Sequence, residues 1–343
     1  MKSNFLFAFL SITVALSATA QDKPAGPVKV FLLCGQSNME GKAKVSLMDY
    51  QARQEATKSI FTHLRTDDGK GWKERDDVFI KFLDRKGKLT VGFGSPQRVG
   101  PELQFGHVIG DHFDEPVLII KTAWGGKSLY RDFRPPSSGF PDEAVLKELV
   151  AKAQKKKPET TVEDIKSSFG HFYRLMIEDV KSTMANIGEF VPGSKEGELA
   201  GIVWFQGWND MINPTYTAEY GDHMANFIRD VRKDLDAPRT PFVIGQLGVG
   251  GADPAKPNEK RDIFKANQAK PAEMDEFKGN VAVVKTDQYW DTTADGVFQK
   301  GWKQNFEEWE KVGSDYPFHY LGSAKTMLGI GGGFAEAILK LQD

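Results

Sequence analysis

The sequence predicts a three-layer α/β/α sandwich built around a mostly parallel central sheet. Two observations carry this. Short β-branched-rich runs, apolar at nearly every position, recur along the chain, as expected of strands covered on both faces. Longer amphipathic segments separate them, which suits crossover connections with helices on both faces of the sheet.

Taken in order, the expected strands are Val28–Cys34, Val78–Phe82, Pro116–Thr122, Gly201–Gln206, Pro241–Gln246 and Val281–Lys285. Helices are expected over Pro101–His112, Gly170–Ile187, Thr217–Leu235 and Ile263–Met274. A last helix runs from about Leu321 to Leu341, with an interruption at Gly329–Gly333. The Gly100-Pro101-Glu102 opening places Pro in a first helical turn and an acid near the positive end of the dipole, so His107 reads as structural. No repeat and no long Pro/Gly linker divides the chain. One domain over residues 21–343 is expected, with inserted loops at about 42–75 and 127–168 near the strand ends, where loops shape ligand clefts.

The first 20 residues have an export layout: Lys2, an apolar run from Phe5 to Leu16, then Ala18-Thr19-Ala20. The run is shorter than the roughly 20 residues a membrane span needs. The expectation is a cleaved signal peptide, no membrane span after cleavage, and a periplasmic or secreted protein. Cys34 is the only cysteine, so there is no internal disulfide, and its place at the end of a strand reads as a buried thiol. A formal net charge of −2 gives no electrostatic case for nucleic acid or an anionic membrane as partner.

Four short blocks carry chemistry. Ser37, in Gly35-Gln36-Ser37-Asn38-Met39, follows the first strand, and ligands of open parallel sheets bind at that end. Trp124-Gly125-Gly126 follows the third strand and offers a backbone N–H, from Gly126 or Gly125, to a developing oxyanion. Gly207-Trp208-Asn209-Asp210 follows the fourth, and the Asn209 amide is a second such donor. His319, just before the final helix, supplies an imidazole, the base that a serine hydroxyl needs near neutral pH.

Block by block, the chain resembles the SGNH hydrolases over roughly residues 28–341, in particular the carbohydrate esterases similar to sialate O-acetylesterases. Gly35-Gln36-Ser37-Asn38-Met39 matches the nucleophile block of that branch, and Ala123-Trp124-Gly125-Gly126 resembles its glycine block. Gly207-Trp208-Asn209-Asp210 is similar to the Gly-x-Asn-Asp block of the wider class, whereas the branch usually carries Gln-Gly-Glu and only Gln206-Gly207 agrees. The resemblance implies an SGNH/flavodoxin-like fold and a serine esterase acting through an acyl-enzyme. Ser37 is then the nucleophile, His319 the base, and Ser37 N–H, Gly126 (or Gly125) and Asn209 form the oxyanion hole. The class places an Asp three residues before the histidine. Here Tyr316 stands there, so the orienting acid is Asp315, four residues before, or Asp287 or Asp291 after the last strand, or is replaced by a backbone carbonyl.

Gln36, Trp124 and Trp208 are the expected substrate contacts, and Lys127, Arg131 and Arg134 read as a solvated loop face. His63, His112, His171 and His223 lack metal-ligand spacing, and the Gly329–Gly333 run lacks the strand and the Lys-Ser/Thr ending of a phosphate loop. No metal and no cofactor is predicted. The leading reading is an O-acetylesterase acting on a small-molecule or glycan ester. A longer-chain lipase or thioesterase, and a non-catalytic glycan-binding protein, are the alternatives.

Overall fold

Seven strands form the central sheet of the computed structural model, which describes residues 26–252 and 257–342. They are β1 (Val28–Gly35), β2 (Val78–Phe82), β3 (Arg85–Lys88), β4 (Val117–Ala123), β5 (Gly197–Phe205), β6 (Phe242–Gln246) and β7 (Val281–Lys285). Their order across the sheet is β3-β2-β4-β1-β5-β6-β7. Every neighbouring pair is parallel except β2 with β3. The expected strands are all present. The one without forewarning is β3, a charged Arg-Lys-Gly-Lys edge with no apolar pattern to reveal it. The expected leader at residues 1–20 lies outside the described residues.

The main helices are α1 (Ser37–Glu40), α2 (Glu102–His112), α3 (His171–Ala185), α4 (Pro214–Asp234), α5 (Glu259–Glu273) and α6 (Ala324–Gln342). They cover both faces of the sheet. Trp204 and Phe205, adjacent on β5, point to opposite sides as strand geometry requires. The Trp204 ring lies 4.5 Å from Phe227 of α4, and the Phe205 ring 5.3 Å from Phe334 of α6. β1 is sequestered between β4 and β5, and its apolar side chains are fully buried. Burial of each such side chain contributes on the order of 1.5–3 kcal/mol.

The expected interruption at Gly329–Gly333 does not occur, since α6 is continuous from Ala324 to Gln342. The glycines serve close packing instead. A Cβ at Gly331 would lie 2.2 Å from the Pro101 carbonyl oxygen, so α6 rests directly on the start of α2. Glycine costs a helix about 1 kcal/mol relative to alanine, and this backbone approach offsets it.

Between the two faces lies a charge pair with both side chains fully buried. Lys121 Nζ of β4 donates to Glu102 Oε2 at 2.7 Å, and also to the carbonyls of Glu40 (2.8 Å) and Phe93 (2.7 Å). Burial pulls the Lys121 pKa down, while Glu102 opposes the loss of charge. The acid expected to serve the helix dipole thus anchors a lysine that holds the end of α1 in place.

Candidate active site

The three central strands end level with one another. Gly35 of β1 is in register with Ala123 of β4 on one side and Phe205 of β5 on the other. The segments that leave them therefore emerge side by side, and each is one of the sequence blocks. Gly35 has φ 151°, and a Cβ there would lie 2.2 Å from the Phe205 carbonyl oxygen. Only glycine lets β1 turn into α1 at this point. Ser37 begins that helical turn, where N–H groups have no intrahelical acceptor.

The other two blocks close around it. A Cβ on Gly125 would come 3.9 Å from Ser37 Cβ, and Gly126 follows with φ 72°. Asn209, on the single turn Trp208–Met211, donates from Nδ2 to the Gly126 carbonyl. The serine, the glycine pair and the Asn amide thus converge from three strand ends.

His319 approaches from the opposite end of the chain. Its Nε2 is 2.9 Å from Ser37 Oγ, and its Nδ1 is 2.9 Å from Asp315 Oδ1. The Asp315 carboxylate also accepts the Tyr316 N–H at 2.8 Å and pairs with Arg98. Burial alone would raise the Asp315 pKa. The hydrogen bonds from His319, the Tyr316 N–H and Arg98 outweigh it and hold the carboxyl at about 2. A neighbouring carboxylate fixes the imidazole with its proton on Nδ1, which leaves Nε2 free to accept from the serine.

The segment carrying the histidine is irregular. Tyr320 and Leu321 both have positive φ (52° and 61°), a region costly for residues with a Cβ. The Tyr320 hydroxyl, fully buried, accepts the Gly248 N–H at 2.7 Å and lies 2.6 Å from Thr286 Oγ1. Ser314 and Asp315 N–H groups both donate to the Leu321 carbonyl, so the loop closes on itself and folds Asp315 back onto His319. Asn38 links the two halves, its Nδ2 donating to the Phe318 carbonyl at 3.2 Å.

Chemically, this arrangement can remove a proton from a buried-edge hydroxyl and offer N–H donors to an adjacent oxyanion. The sequence model for the carbohydrate esterase, sialic acid-specific acetylesterase family matches residues 27–297. The chain belongs to this family. A curated relative, the probable carbohydrate esterase At4g34215 of Arabidopsis thaliana, is 21% identical over 248 residues, spanning 70% of this chain and 77% of its own. The solved structure of that Arabidopsis protein aligns with 92% of this chain and 98% of its own, at 16% identity and a TM-score of 0.52, a likeness of fold. Lower-scoring similarities include a carbohydrate acetylesterase, XAC1771 from Xanthomonas citri (15% identity, 75% of this chain and 49% of that one, TM-score 0.43). The NanS structure is a further lower-scoring similarity (12% identity, 76% of this chain and 78% of that one, TM-score 0.45).

Within this carbohydrate esterase the remaining expected residues fall as follows. Asp287 is not at His319: it pairs with Lys265 at 2.6 Å. Asp291 caps the helix that starts at Thr292, accepts Ser323 Oγ at 2.7 Å and pairs with Lys325. Gln36, expected to touch substrate, is as buried as the serine beside it (2% and 5% exposed), with its Nε2 3.5 Å from Ser37 Oγ. Its Oε1 accepts Gln206 Nε2 and the Gly207 N–H, both at 3.1 Å, tying β1 to β5. Trp124 leans on Phe133 and Phe172, with part of its ring left open, and Trp208 lies 5.5 Å from Phe318.

Arg134 is not on a solvated face. It is buried, donating to the Tyr130 and Gly139 carbonyls beside His223. Arg131 bonds Ser168, and Lys127 sits over the Phe172 ring. Asp210, fully buried, accepts the N–H groups of Leu129 and Tyr130 (3.0 Å each) and the Gln206 amide, and so fastens the loop after the glycine pair. Burial pushes its pKa up to about 7 against those three donors. Sequence reasoning missed Arg98 and the roles of Asn38 and Asp210. The last two stood inside the quoted blocks, whereas Arg98 had no signal. No cluster of His, Cys, Asp and Glu suited to a metal occurs among the described residues.

Proposed function

We propose that the protein is an O-acetylesterase that works through an acetyl-enzyme on Ser37. The observation that carries this reading is the hydrogen-bonded line from Ser37 Oγ through His319 to Asp315, set beside the Gly125-Gly126 pair and Asn209. His319 takes the serine proton as Ser37 attacks the ester carbonyl. The N–H groups of Ser37 and Gly126, with the Asn209 amide after a small rotation off the Gly126 carbonyl, meet the oxyanion. The alcohol leaves with the proton from His319, and water then cleaves the acetyl-enzyme by the reverse route.

The acetyl and sugar parts of this reading draw on the carbohydrate esterase family and on the names of its relatives. The export layout of residues 1–20 supports action outside the cytoplasm, on exogenous or cell-surface glycans. The test is hydrolysis of p-nitrophenyl acetate, butyrate and octanoate by the wild type and by Ser37→Ala. Turnover that is highest on acetate and lost in the variant is the expected result. A rate rising toward octanoate would replace the acetylesterase with a longer-chain esterase, and turnover surviving in Ser37→Ala would remove Ser37 as nucleophile.

A further inference from the structure

The aromatic side chains around His319 extend well past the reacting groups. Trp208 meets Phe318, which stacks on Tyr316 (centroids 5.4 Å apart, planes at 6°), and Tyr316 meets the edge of Trp302 at 6.1 Å. This row ends in a cavity of about 560 Å³, within the roughly 300–1,000 Å³ of small-molecule sites. Its lining combines the rings of Tyr316, Trp302, Phe298 and Phe306 with the charged groups of Asp315, Lys44, Arg98, Glu310 and Lys311. Tyr316 and Phe306 are half exposed, at 49% and 50%. Large rings left open to solvent beside a reactive centre have a recognition use more readily than a packing one. The wall residues Trp302, Phe306 and Tyr316 lie beyond residue 297, where the family match ends.

Reaction geometry decides which part of a substrate reaches this cavity. His319 must hand its proton to the departing alcohol, so the alcohol lies on the His319 side of the ester. The oxyanion, by contrast, lies toward Gly126 and Asn209. Neither Ser37 nor His319 lines the cavity; it connects to the reacting groups along the stacked Tyr316 and Phe318 rings, Phe318 lying 4.5 Å from the His319 ring, so a substrate alcohol that leaves past His319 is directed along this row. The composition of the cavity suits a sugar: flat rings for the C–H faces of a pyranose, and charged groups in the same lining for its hydroxyls. A long hydrocarbon there would strip water from the Lys44 ammonium and from the Arg98–Asp315 pair without offering polar contacts in return.

We propose, on the O-acetylesterase reading above, that this aromatic cavity is a glycan subsite that binds a sugar unit linked to the acetylated one. The enzyme then prefers acetylated oligosaccharides to acetylated monosaccharides. Because the cavity lies beside the histidine rather than around the acyl group, its loss raises KM for large substrates and spares the chemistry.

The experiment compares acetylated tetramers of xylose, mannose and N-acetylglucosamine with the corresponding acetylated monomers and with p-nitrophenyl acetate. The wild type is expected to favour one tetramer by about tenfold or more in kcat/KM, the worth of one good ring contact. Trp302→Ala and the more exposed Phe306→Ala should remove that preference through KM, with a loss on p-nitrophenyl acetate at least several-fold smaller. Equal losses on all substrates, or no tetramer preference, would overturn the subsite. A second readout needs no esterase activity. Ser37→Ala protein should show saturable tryptophan quenching with one of the unacetylated tetramers, lost when Trp302→Ala is added. Absence of quenching with all three overturns the inference whatever the esterase result. Quenching in a protein that hydrolyses no ester would instead sink the acetylesterase reading and leave the subsite standing.

Discussion

The two halves of the candidate site are built by different means. Ser37, Gly125-Gly126 and Asn209 stand on segments leaving three adjacent parallel strands, β1, β4 and β5, whose ends are set by ladder register. His319 and Asp315 stand on an irregular loop with two non-glycine residues at positive φ, pinned by the Tyr320 hydroxyl and by Arg98. The first half is held by regular structure, the second by particular tertiary hydrogen bonds. This predicts that the nucleophile half resists single changes in geometry and the base half does not.

The largest effect should come from Asp315→Asn. Its carboxyl, held at about 2, is charged at every pH where the enzyme would be assayed. An amide in its place weakens the pair with Arg98 and favours the wrong imidazole tautomer, and kcat should fall by about 10³–10⁴ with KM little changed. A wild-type rate for this variant would mean that His319 is oriented without Asp315.

On the strand-built side, Lys121→Met leaves Glu102 buried without its partner. It should lower unfolding free energy by about 3–5 kcal/mol in denaturant titration. A loss within 1 kcal/mol or so would show that the pair is dispensable and that α1 is held otherwise. Asn209→Ala removes a donor while leaving the fold, and kcat should fall by about 10²–10³. No loss would assign its amide to the Gly126 carbonyl alone.

A further effect, read in stability against pH, concerns Asp210, which locks the loop after the glycine pair. Its folded pKa, about 7, lies above the unfolded carboxylate value. Its contribution to stability is therefore full below about pH 4 and declines as pH rises through 7. The melting temperature of the wild type relative to Asp210→Asn should fall across that window. A relative rise would mean that the three N–H donors favour the carboxylate over burial.

Legibility in the sequence follows the same division. The buried strands announced themselves because both of their faces are covered, and edge strand β3, charged and solvated, did not. Ser37, Gly126 and Asn209 could be read because three such blocks follow strand-like runs in order with a histidine near the end of the chain, whereas each block alone reads as readily as a turn or a helix cap. The spacing of Asp315 from His319 could not be explained in advance, because Tyr320 and Leu321 carry no sequence sign of positive φ. Arg98 meets Asp315 across 217 positions, a contact only the folded chain creates. The place of Gln36 beside the nucleophile suggests substrate, and the fold adds a second use that no sequence pattern announces: its Oε1 is satisfied by Gln206 and Gly207. Arg134 misled because a charged residue in a long loop gives no hint that it will be buried as a brace.

The most direct test of the account is covalent. The wild type, Ser37→Ala and His319→Ala would each be treated with a fluorophosphonate, and the intact mass and the modified peptide determined. The account predicts one adduct, on Ser37 of the wild type, and none in either variant, because the hydroxyl reacts only when His319 accepts its proton. An unmodified Ser37 in protein that still hydrolyses p-nitrophenyl acetate, or equally fast labelling of Ser37 in His319→Ala, would contradict it.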